Sequence, residues 1–296
     1  MRVIAIAAAD PSERWRSLLR AFGPDGVLLT PEALDEGDFA GAPRALSKHA
    51  VLVHAAASRR PDIGLLITPL RIEPASLREC DFPLVLWAAA EPFWAPSMER
   101  FAANCALFVS SSDAACAEAE AAGFKRALFL PPPPAPWAPG FKRAGTVRRD
   151  AAVIGAWHPR RQRVLSTLVQ AGLRAFGVGP GWSRAVKFGL SRSAYRVART
   201  EKEVIEAAAT ATLSVWVSLG GFSPLLSDAL AAGLCIVAPP FPEAARLSEA
   251  VAVDEDCAAK AKELLDFELG RRRHETAARE AAPSPSVIAK ELLAAL

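Results

Sequence analysis

Residues 220–240, GGFSPLLSDALAAGLCIVAPP, constrain the fold of this chain more than any other stretch. A glycine-rich turn leads into an apolar segment that stops at Gly233, a natural helix end, and a second short apolar run follows. Ser223 is placed to cap a helix, and Pro224 suits the first helical position, where its missing N–H costs no hydrogen bond. This order predicts a turn, a helix over residues 225–232 and a short buried strand.

The same pattern of short apolar runs and Ala/Leu/Arg-rich periodic segments continues along the whole chain. Such alternation predicts an α/β fold with parallel sheets and crossover helices. Near the middle, the proline-rich residues 131–139 and the basic residues 142–149 interrupt it. A stiff, proline-rich connector of this kind predicts a domain boundary, with one domain over residues 1–138 and a second over 139–282.

Two helix starts in the second domain are predicted to bind anions. The first follows Gly221, where the backbone is free to make a tight approach and the helix N-terminus is open. The second begins at Arg160 and Arg161, whose charges oppose the helix dipole. A bound pyrophosphate would remove that conflict by combining guanidinium donors with free N–H groups, whereas the alternative for both arginines is exposed surface charge.

One acidic residue, Asp228, lies a turn inside the otherwise apolar helix of residues 225–232. Spacing alone leaves two interpretations open, a solvated helix face or a functional carboxylate. A second acid, Glu91, follows the predicted strand of residues 83–88. The carboxyl ends of parallel strands are where open α/β sheets bind ligands, so Glu91 is predicted either to enter the ligand site or to cap the next helix.

Two segments carry a resemblance to a known family. Residues 220–223, GGFS, and 227–233, SDALAAG, resemble the donor-binding segment of GT-B glycosyltransferases, where a Glu-Gly-Phe-Gly loop leads into a Leu-Glu-Ala-Met-Ala-Cys-Gly helix. Residues 153–161, VIGAWHPRR, and 176–182, FGVGPGW, look like the start of the second domain in the CgeB-type (spore maturation protein) glycosyltransferases. The similarity covers most of residues 80–280.

This resemblance implies two Rossmann-like domains that face each other across a cleft, the GT-B architecture. A nucleotide-sugar would bind mainly to residues 139–282, and residues 1–138 would form the acceptor side. A C-terminal helix in residues 283–296 is expected to pack back on the first domain. The predicted donor-binding residues are Gly155, Arg160, Arg161, Trp182, Gly220, Gly221, Phe222, Ser223, Pro224 and Asp228.

The resemblance implies the role of Asp228, and the residues themselves suggest the other roles. Asp228 would hold the ribose hydroxyls, and the arginines, Ser223 and the backbone of residues 221–224 would bind phosphates. The nucleobase would lie against the turn of residues 179–182 or against Trp182. Glu91 is the candidate catalytic base for the acceptor hydroxyl.

Charge, apolar runs, cysteine spacing and the lack of a glycine motif argue against several other classes of protein. A net charge of +3 is too small to imply nucleic acid binding, and no apolar run reaches about 18 residues, so no stable membrane insertion is expected. The five cysteines lack Cys-x-x-Cys spacing, which indicates free thiols in a reducing cytoplasm. Residues 1–30 lack Gly-x-Gly-x-x-Gly, which argues against a nicotinamide-dependent dehydrogenase. No metal or cofactor is expected beyond a nucleotide-diphosphate sugar as co-substrate.

The sequence therefore predicts a glycosyltransferase that moves a sugar from a nucleotide-sugar to an unidentified glycan, lipid-linked or protein acceptor. The alternative is a catalytically degenerate GT-B-fold protein that binds a nucleotide or glycan or serves as an interaction module. Gly220 supports that alternative, because it stands where the family has its first glutamate and provides no side chain.

Overall fold

The computed structural model describes residues 1–7, 13–30, 48–68, 74–88, 98–143, 147–247 and 249–296. The chain divides into two compact units, each with its own sheet. One unit combines Met1–Ala135 with Pro283–Leu296, and the other is Pro136–Ala282. Among the described residues, no helix is both long enough and apolar enough to cross a membrane. Glu91 lies outside the described residues.

The first unit is a parallel sheet flanked by helices. Its strands are β1 (Val3–Ala7), β2 (Val27–Leu29), β3 (Ile63–Ile67), β4 (Leu84–Ala88), β5 (Leu107–Ser110) and β6 (Ala127–Phe129), and its first helices are α1 (Glu13–Phe22), α2 (Lys48–Ser58), α3 (Met98–Ala102) and α4 (Asp113–Ala121). The described strands pair in the order β2-β1-β3-β4-β5-β6, and every pair is parallel.

The second unit repeats this design. Its strands are β7 (Arg149–Ile154), β8 (Ala175–Val178), β9 (Tyr195–Arg196), β10 (Ala211–Trp216), β11 (Ile236–Ala238) and β12 (Val251–Val253), and its helices are α5 (Pro159–Gln170), α6 (Glu201–Ala208), α7 (Pro224–Ala231), α8 (Cys257–Asp266) and α9 (Glu268–Ala281). The sheet order is β12-β11-β10-β7-β8-β9, again parallel throughout. The predicted α/β class with parallel sheets is confirmed.

The last helix, α10 (Pro285–Ala295), belongs to the first unit. Ser284 caps it by accepting a hydrogen bond from the Val287 N–H. Ile288 and Leu292, one turn apart, are buried in the core cluster that also contains Leu18 of α1. The apolar face of α10 therefore completes one side of the first sheet.

Both sheets are buried on their two faces, which explains the continuous apolar runs in the sequence. In β1, Ile4 and Ile6 pack on one side, whereas Val3 and Ala5 pack on the other. Apolar runs do not predict β9, because it has only two residues, Tyr195 and Arg196, and lies outside any such run.

The strand order of the second unit places a ligand crevice. The chain moves outward from β7 to β8 and β9, then returns to the other side of β7 as β10, which is the Rossmann arrangement. The connections that leave β7 and β10 therefore run in opposite directions from adjacent strand ends. Ligands of open α/β sheets bind in the crevice at such a reversal.

Trp182 fixes the turn beside this crevice. Its indole is fully buried in the second core, and its Nε1–H donates a hydrogen bond to the Gly155 carbonyl at 2.8 Å. The ring lies directly over Gly177 of β8, where an added Cβ would clash with it. Gly177 is therefore required by close packing.

We predict that Gly177→Ala destabilises the second unit by about 1–3 kcal/mol, because the hydrogen-bonded, buried Trp182 ring cannot move aside. Urea unfolding measures the change. Gly140→Ala is the matched control, since its Cβ would meet only the Trp137 carbonyl oxygen, at 4.0 Å. Equal stability of the two variants would contradict this account.

Candidate functional site

Arg161 joins the two loops at the reversal point of the second sheet. It lies in the first turn of α5, and its side chain contacts the backbone just after β7 and just after β10. Nη1 donates to the Ala156 carbonyl at 2.7 Å, and Nη2 donates to the Val217 carbonyl at 3.0 Å. One guanidinium thus holds the loop after β7 against the loop after β10.

The charge of Arg161 has no anionic partner among the described residues. Arg161 is only 7% exposed, and its Nε has no hydrogen-bond partner in the part of the chain that the structure describes. Burial lowers the pKa of the guanidinium to about 10, so the group stays cationic at neutral pH. A buried charge satisfied only by carbonyl dipoles favours an anion nearby, because an anion would offset its desolvation cost.

Gly155 makes room for this guanidinium. Its φ of +112° lies in a region that side chains rarely adopt. A Cβ at this position would also lie 2.8 Å from the Arg161 Cζ. The structure therefore places Gly155 as the residue that lets Arg161 approach the end of β7, in addition to its predicted place in the donor site.

A cleft of about 360 Å³ opens beside the loops that Arg161 joins. It is lined by Arg160, Arg163, Val164, Val217, Ser218, Pro239 and Pro240. Arg160 and Arg163 are exposed and three residues apart on α5, so both reach the same face of the helix. The cleft thus combines two accessible cations with the strand ends of β10 and β11.

The glycine-rich loop after β10 leads into the open N-terminus of α7. Gly220 and Gly221 have φ values of +148° and +58°. The Ser218 hydroxyl donates to the Gly221 carbonyl at 3.3 Å and accepts from the Gly220 N–H at 3.3 Å, which fixes the turn. Ser223 caps α7 by accepting from the Leu226 N–H at 3.2 Å.

The predicted helix therefore begins where the sequence placed it, with Ser223 as N-cap and Pro224 at the first helical position. The helix α5 begins in the same way, because His158 Nδ1 accepts a hydrogen bond from the Arg160 N–H at 3.2 Å. Each helix N-terminus contributes a partial positive charge to the carboxyl edge of the sheet.

Asp228 is fully buried in α7. Its carboxylate is closed to solvent in this structure, so neither a solvated helix face nor a preformed ribose contact describes it as it stands. Phe222 is also buried, at 3% exposure, and anchors the glycine-rich loop to the unit. Sequence spacing placed both residues correctly on their elements but could not give their burial.

The ring of Trp182 does not face the site. Because it is 0% exposed and packed on Gly177, it has no open face against which a nucleotide base could stack. The aromatic pair near the turn is instead Trp157 and Phe188, whose rings stack at 5.5 Å between centroids. The backbone N–H of Trp157 donates to the Pro180 carbonyl at 2.8 Å, and its indole N–H donates to the Gln162 side-chain oxygen at 2.8 Å, which together fix the ring beside the turn.

Sequence reasoning missed Arg163 and Ser218. Arg163 could have been found from its spacing of three residues after Arg160 at a helix start, which puts both on one face. Ser218 carried no signal, because its role depends on the path of the loop after β10.

Two further polar groups are buried without partners near this edge. Neither carboxylate oxygen of Glu243 has a hydrogen-bond partner in the part of the chain that the structure describes, and the side chain is 1% exposed. The indole N–H of Trp216, at the end of β10, is likewise unsatisfied, and its ring packs edge-on against Phe241 at 5.1 Å. Buried polar groups without partners lower the stability of the fold, and functional sites commonly retain them.

Within the described ranges, no group of three or more His, Cys, Asp or Glu side chains is placed to hold a metal ion. The side chains that line the cleft provide two cations and a hydroxyl group. Such a lining suits recognition of a phosphorylated ligand.

Comparison with solved structures shows the fold. HepE from Anabaena, solved with UDP and glucose, matches with a TM-score of 0.68 and 13% identity over 100% of both chains. AviGT4, a glycosyltransferase involved in avilamycin A biosynthesis, matches with a TM-score of 0.64 and 14% identity over 100% of this chain and 97% of its own. Sucrose-phosphate synthase from Thermosynechococcus elongatus matches with a TM-score of 0.62 and 13% identity, over 99% and 98% of the two chains.

No protein-family model matches the sequence, and no curated protein matches it. At 10–16% identity the structural likeness establishes a common architecture. The chain therefore has the fold of the GT-B glycosyltransferases.

We predict that Arg161→Lys destabilises the protein by about 1–3 kcal/mol, because a single ammonium group cannot reproduce both charge-assisted bonds of the planar guanidinium. Arg160→Lys is the matched control and should unfold like the wild type. The free energy of unfolding in urea measures both. If Arg160→Lys lost stability and Arg161→Lys did not, the assignment of Arg161 as the residue that joins the two loops would be wrong.

A second prediction concerns Glu243. Glu243→Met should raise the midpoint of thermal unfolding by about 2 °C or more, because a flexible apolar side chain replaces a buried carboxylate without partners. Calorimetry of the exposed control Glu255→Met should show no change. A lower midpoint for Glu243→Met would mean that the carboxylate stabilises the native state.

Proposed function

We propose that this protein is a glycosyltransferase that transfers a sugar from a nucleotide-sugar to an acceptor not yet identified. The observation that carries the proposal is the buried Arg161 guanidinium, which lacks an anionic partner among the described residues and lies at the reversal point of the second sheet. Nearby lie the exposed cations Arg160 and Arg163 and the glycine-rich entry to α7.

A pyrophosphate group fits the chemistry of this edge. Arg160 and Arg163 would contact phosphate oxygens directly, because their side chains line the cleft. The N–H groups after Ser223 would add neutral donors, as helix N-termini do for phosphates. Arg161 would act from beneath, holding the two loops and contributing its positive charge.

This arrangement would accelerate sugar transfer through the leaving group. When the bond from the anomeric carbon to the phosphate oxygen breaks, negative charge grows on the departing nucleotide diphosphate. Preorganised cations and N–H donors that face that charge lower the barrier, because they need no reorganisation as the charge develops. The acceptor hydroxyl would lose its proton to a base, for which we propose Glu91.

The remaining donor contacts follow the family resemblance. We propose Asp228 for the ribose hydroxyls, which requires displacement of the groups that cover its carboxylate. The nucleobase of the donor would lie against the backbone of the turn at residues 179–181. The sequence motifs around residues 153–161 and 176–182 favour a CgeB-type enzyme within the GT-B class.

The donor and compartment are proposed on separate grounds. HepE, which shares the fold, has been solved with UDP and glucose and with UDP-glucose, so UDP-sugars are the first donors to test. No disulfide bond joins the five cysteines among the described residues, and burial raises the pKa of the Cys105 and Cys235 thiols to about 12. Cysteines that are not in disulfides support a cytoplasmic location.

A non-catalytic nucleotide- or glycan-binding protein is the second candidate. Two observations favour it. Gly220 has no side chain at the position of the family's first glutamate, and Asp228 is closed to solvent. Binding without hydrolysis or transfer of the sugar would identify this function.

We predict saturable binding of one nucleoside diphosphate, weakened about tenfold or more in Arg160→Ala/Arg163→Ala, since each lost contact is a charge-assisted hydrogen bond. Isothermal calorimetry with UDP, ADP, GDP, CDP and TDP measures it. The control Lys262→Ala/Arg273→Ala removes two exposed cations from α8 and α9 and should bind as the wild type does.

The corresponding nucleoside separates phosphate recognition from base recognition, because its binding should be unaffected by the arginine double variant. Asp228→Asn should weaken both nucleoside and nucleotide binding if the carboxylate holds the ribose. A folded wild-type protein that binds none of the five nucleoside diphosphates would refute the proposed donor site.

A further inference from the structure

A second feature of the same unit is a basic surface at the β9 edge of the sheet. Residues 183–200 contain five cations, Arg184, Lys187, Arg192, Arg196 and Arg199, and no acidic residue. All five are exposed. Four of them form no ion pair within the described ranges, whereas Arg199 lies next to the Glu203 carboxylate, which accepts a hydrogen bond from the Arg199 backbone N–H at 2.6 Å. We call residues 183–200 the basic edge.

Exposed apolar side chains are interleaved with these cations. Val186 is 43% exposed, Phe188 is 62% exposed, and Val197 is 55% exposed. Phe188 and Val197 are among the most exposed large apolar side chains of the described residues. Cations and three exposed apolar side chains thus share one 18-residue segment, a composition that suits the interface of an anionic bilayer.

The backbone of the basic edge is well anchored, so these side chains project from a fixed base. The basic edge begins in the 3₁₀ helix Trp182–Phe188, which the buried residues Trp182 and Ala185 hold in the core. Arg196 lies over the Phe176 ring at 5.1 Å, which fixes the short strand β9 against β8. Thr200 then caps α6 by accepting from the Glu203 N–H at 3.2 Å.

We propose that the basic edge docks the protein on anionic lipid bilayers. Lysine and arginine side chains near an anionic leaflet each add to the attraction, and the projecting apolar groups can enter the interfacial region. A membrane surface is favoured over a nucleic acid because three apolar side chains alternate with the cations. This proposal does not depend on the proposed transferase activity.

Docking through the basic edge would bring the bilayer close to the carboxyl edge of the second sheet. The 3₁₀ helix Trp182–Phe188 follows directly from the turn at the end of β8, and the Phe188 ring stacks on Trp157 in the loop after β7. A bilayer on this surface would therefore lie next to the carboxyl edge of the second sheet. A substrate carried in the bilayer would be presented beside that edge.

Vesicle sedimentation tests the proposal. The full-length protein should bind vesicles of phosphatidylcholine and phosphatidylglycerol in equal parts and should not bind vesicles of phosphatidylcholine alone. Arg184→Gln/Lys187→Gln/Arg192→Gln should weaken binding about 100-fold, since each basic residue near the surface is worth about fivefold. Val186→Ser/Val197→Ser should weaken the binding that persists at high salt, which the apolar groups supply.

The matched control is Lys262→Gln/Arg273→Gln/Lys290→Gln, which removes the same charge from other exposed positions and should keep most of the binding. Nucleotide binding by the basic-edge variant should equal that of the wild type, so failure of this proposal and failure of the donor site are distinguishable. The proposal is overturned if the wild type ignores anionic vesicles, if the control variant loses as much binding, or if single-stranded RNA displaces the protein from the vesicles at equal charge concentration.

Discussion

The second unit depends on one buried cation. Arg161 reaches from the first turn of α5 to the carbonyls of Ala156 and Val217, and so joins the two chain segments that leave the sheet at its reversal point. Gly155 is a glycine because the guanidinium occupies the space of its side chain. The cleft lined by Arg160 and Arg163 lies beside these loops, because Val217 and Ser218 of the loop after β10 also line it.

Much of the fold could be predicted from the sequence, because the signals were local. Ser223, Pro224 and Gly233 fixed the limits of α7, and continuous apolar runs indicated strands that are buried on both faces. β9 was missed because an edge strand of two residues has no periodicity to detect. The packing reasons for Gly155 and Gly177 could not be predicted, because both glycines make room for side chains that no local pattern reveals.

The candidate site was predicted less completely than the fold. The arginine pair at the start of α5 was recognised as a charge conflict, but the sequence could not show that Arg161 turns inward while Arg160 faces the cleft. Burial also changes the interpretation of Trp182, whose ring supports the core, and of Asp228, whose carboxylate is covered. In each case the direction of a side chain is set by tertiary packing, which neighbours in the sequence do not encode.

Hydrogen–deuterium exchange with and without a saturating nucleoside diphosphate tests the central claim most directly, because it reports where on the chain a ligand acts. The account predicts slower exchange in the loop after β7, in the first turn of α5, and in residues 217–226, with no change in α8. Binding that leaves these segments unprotected, or that protects only segments of the first unit, would contradict the assignment of the Arg161 edge as the nucleotide site.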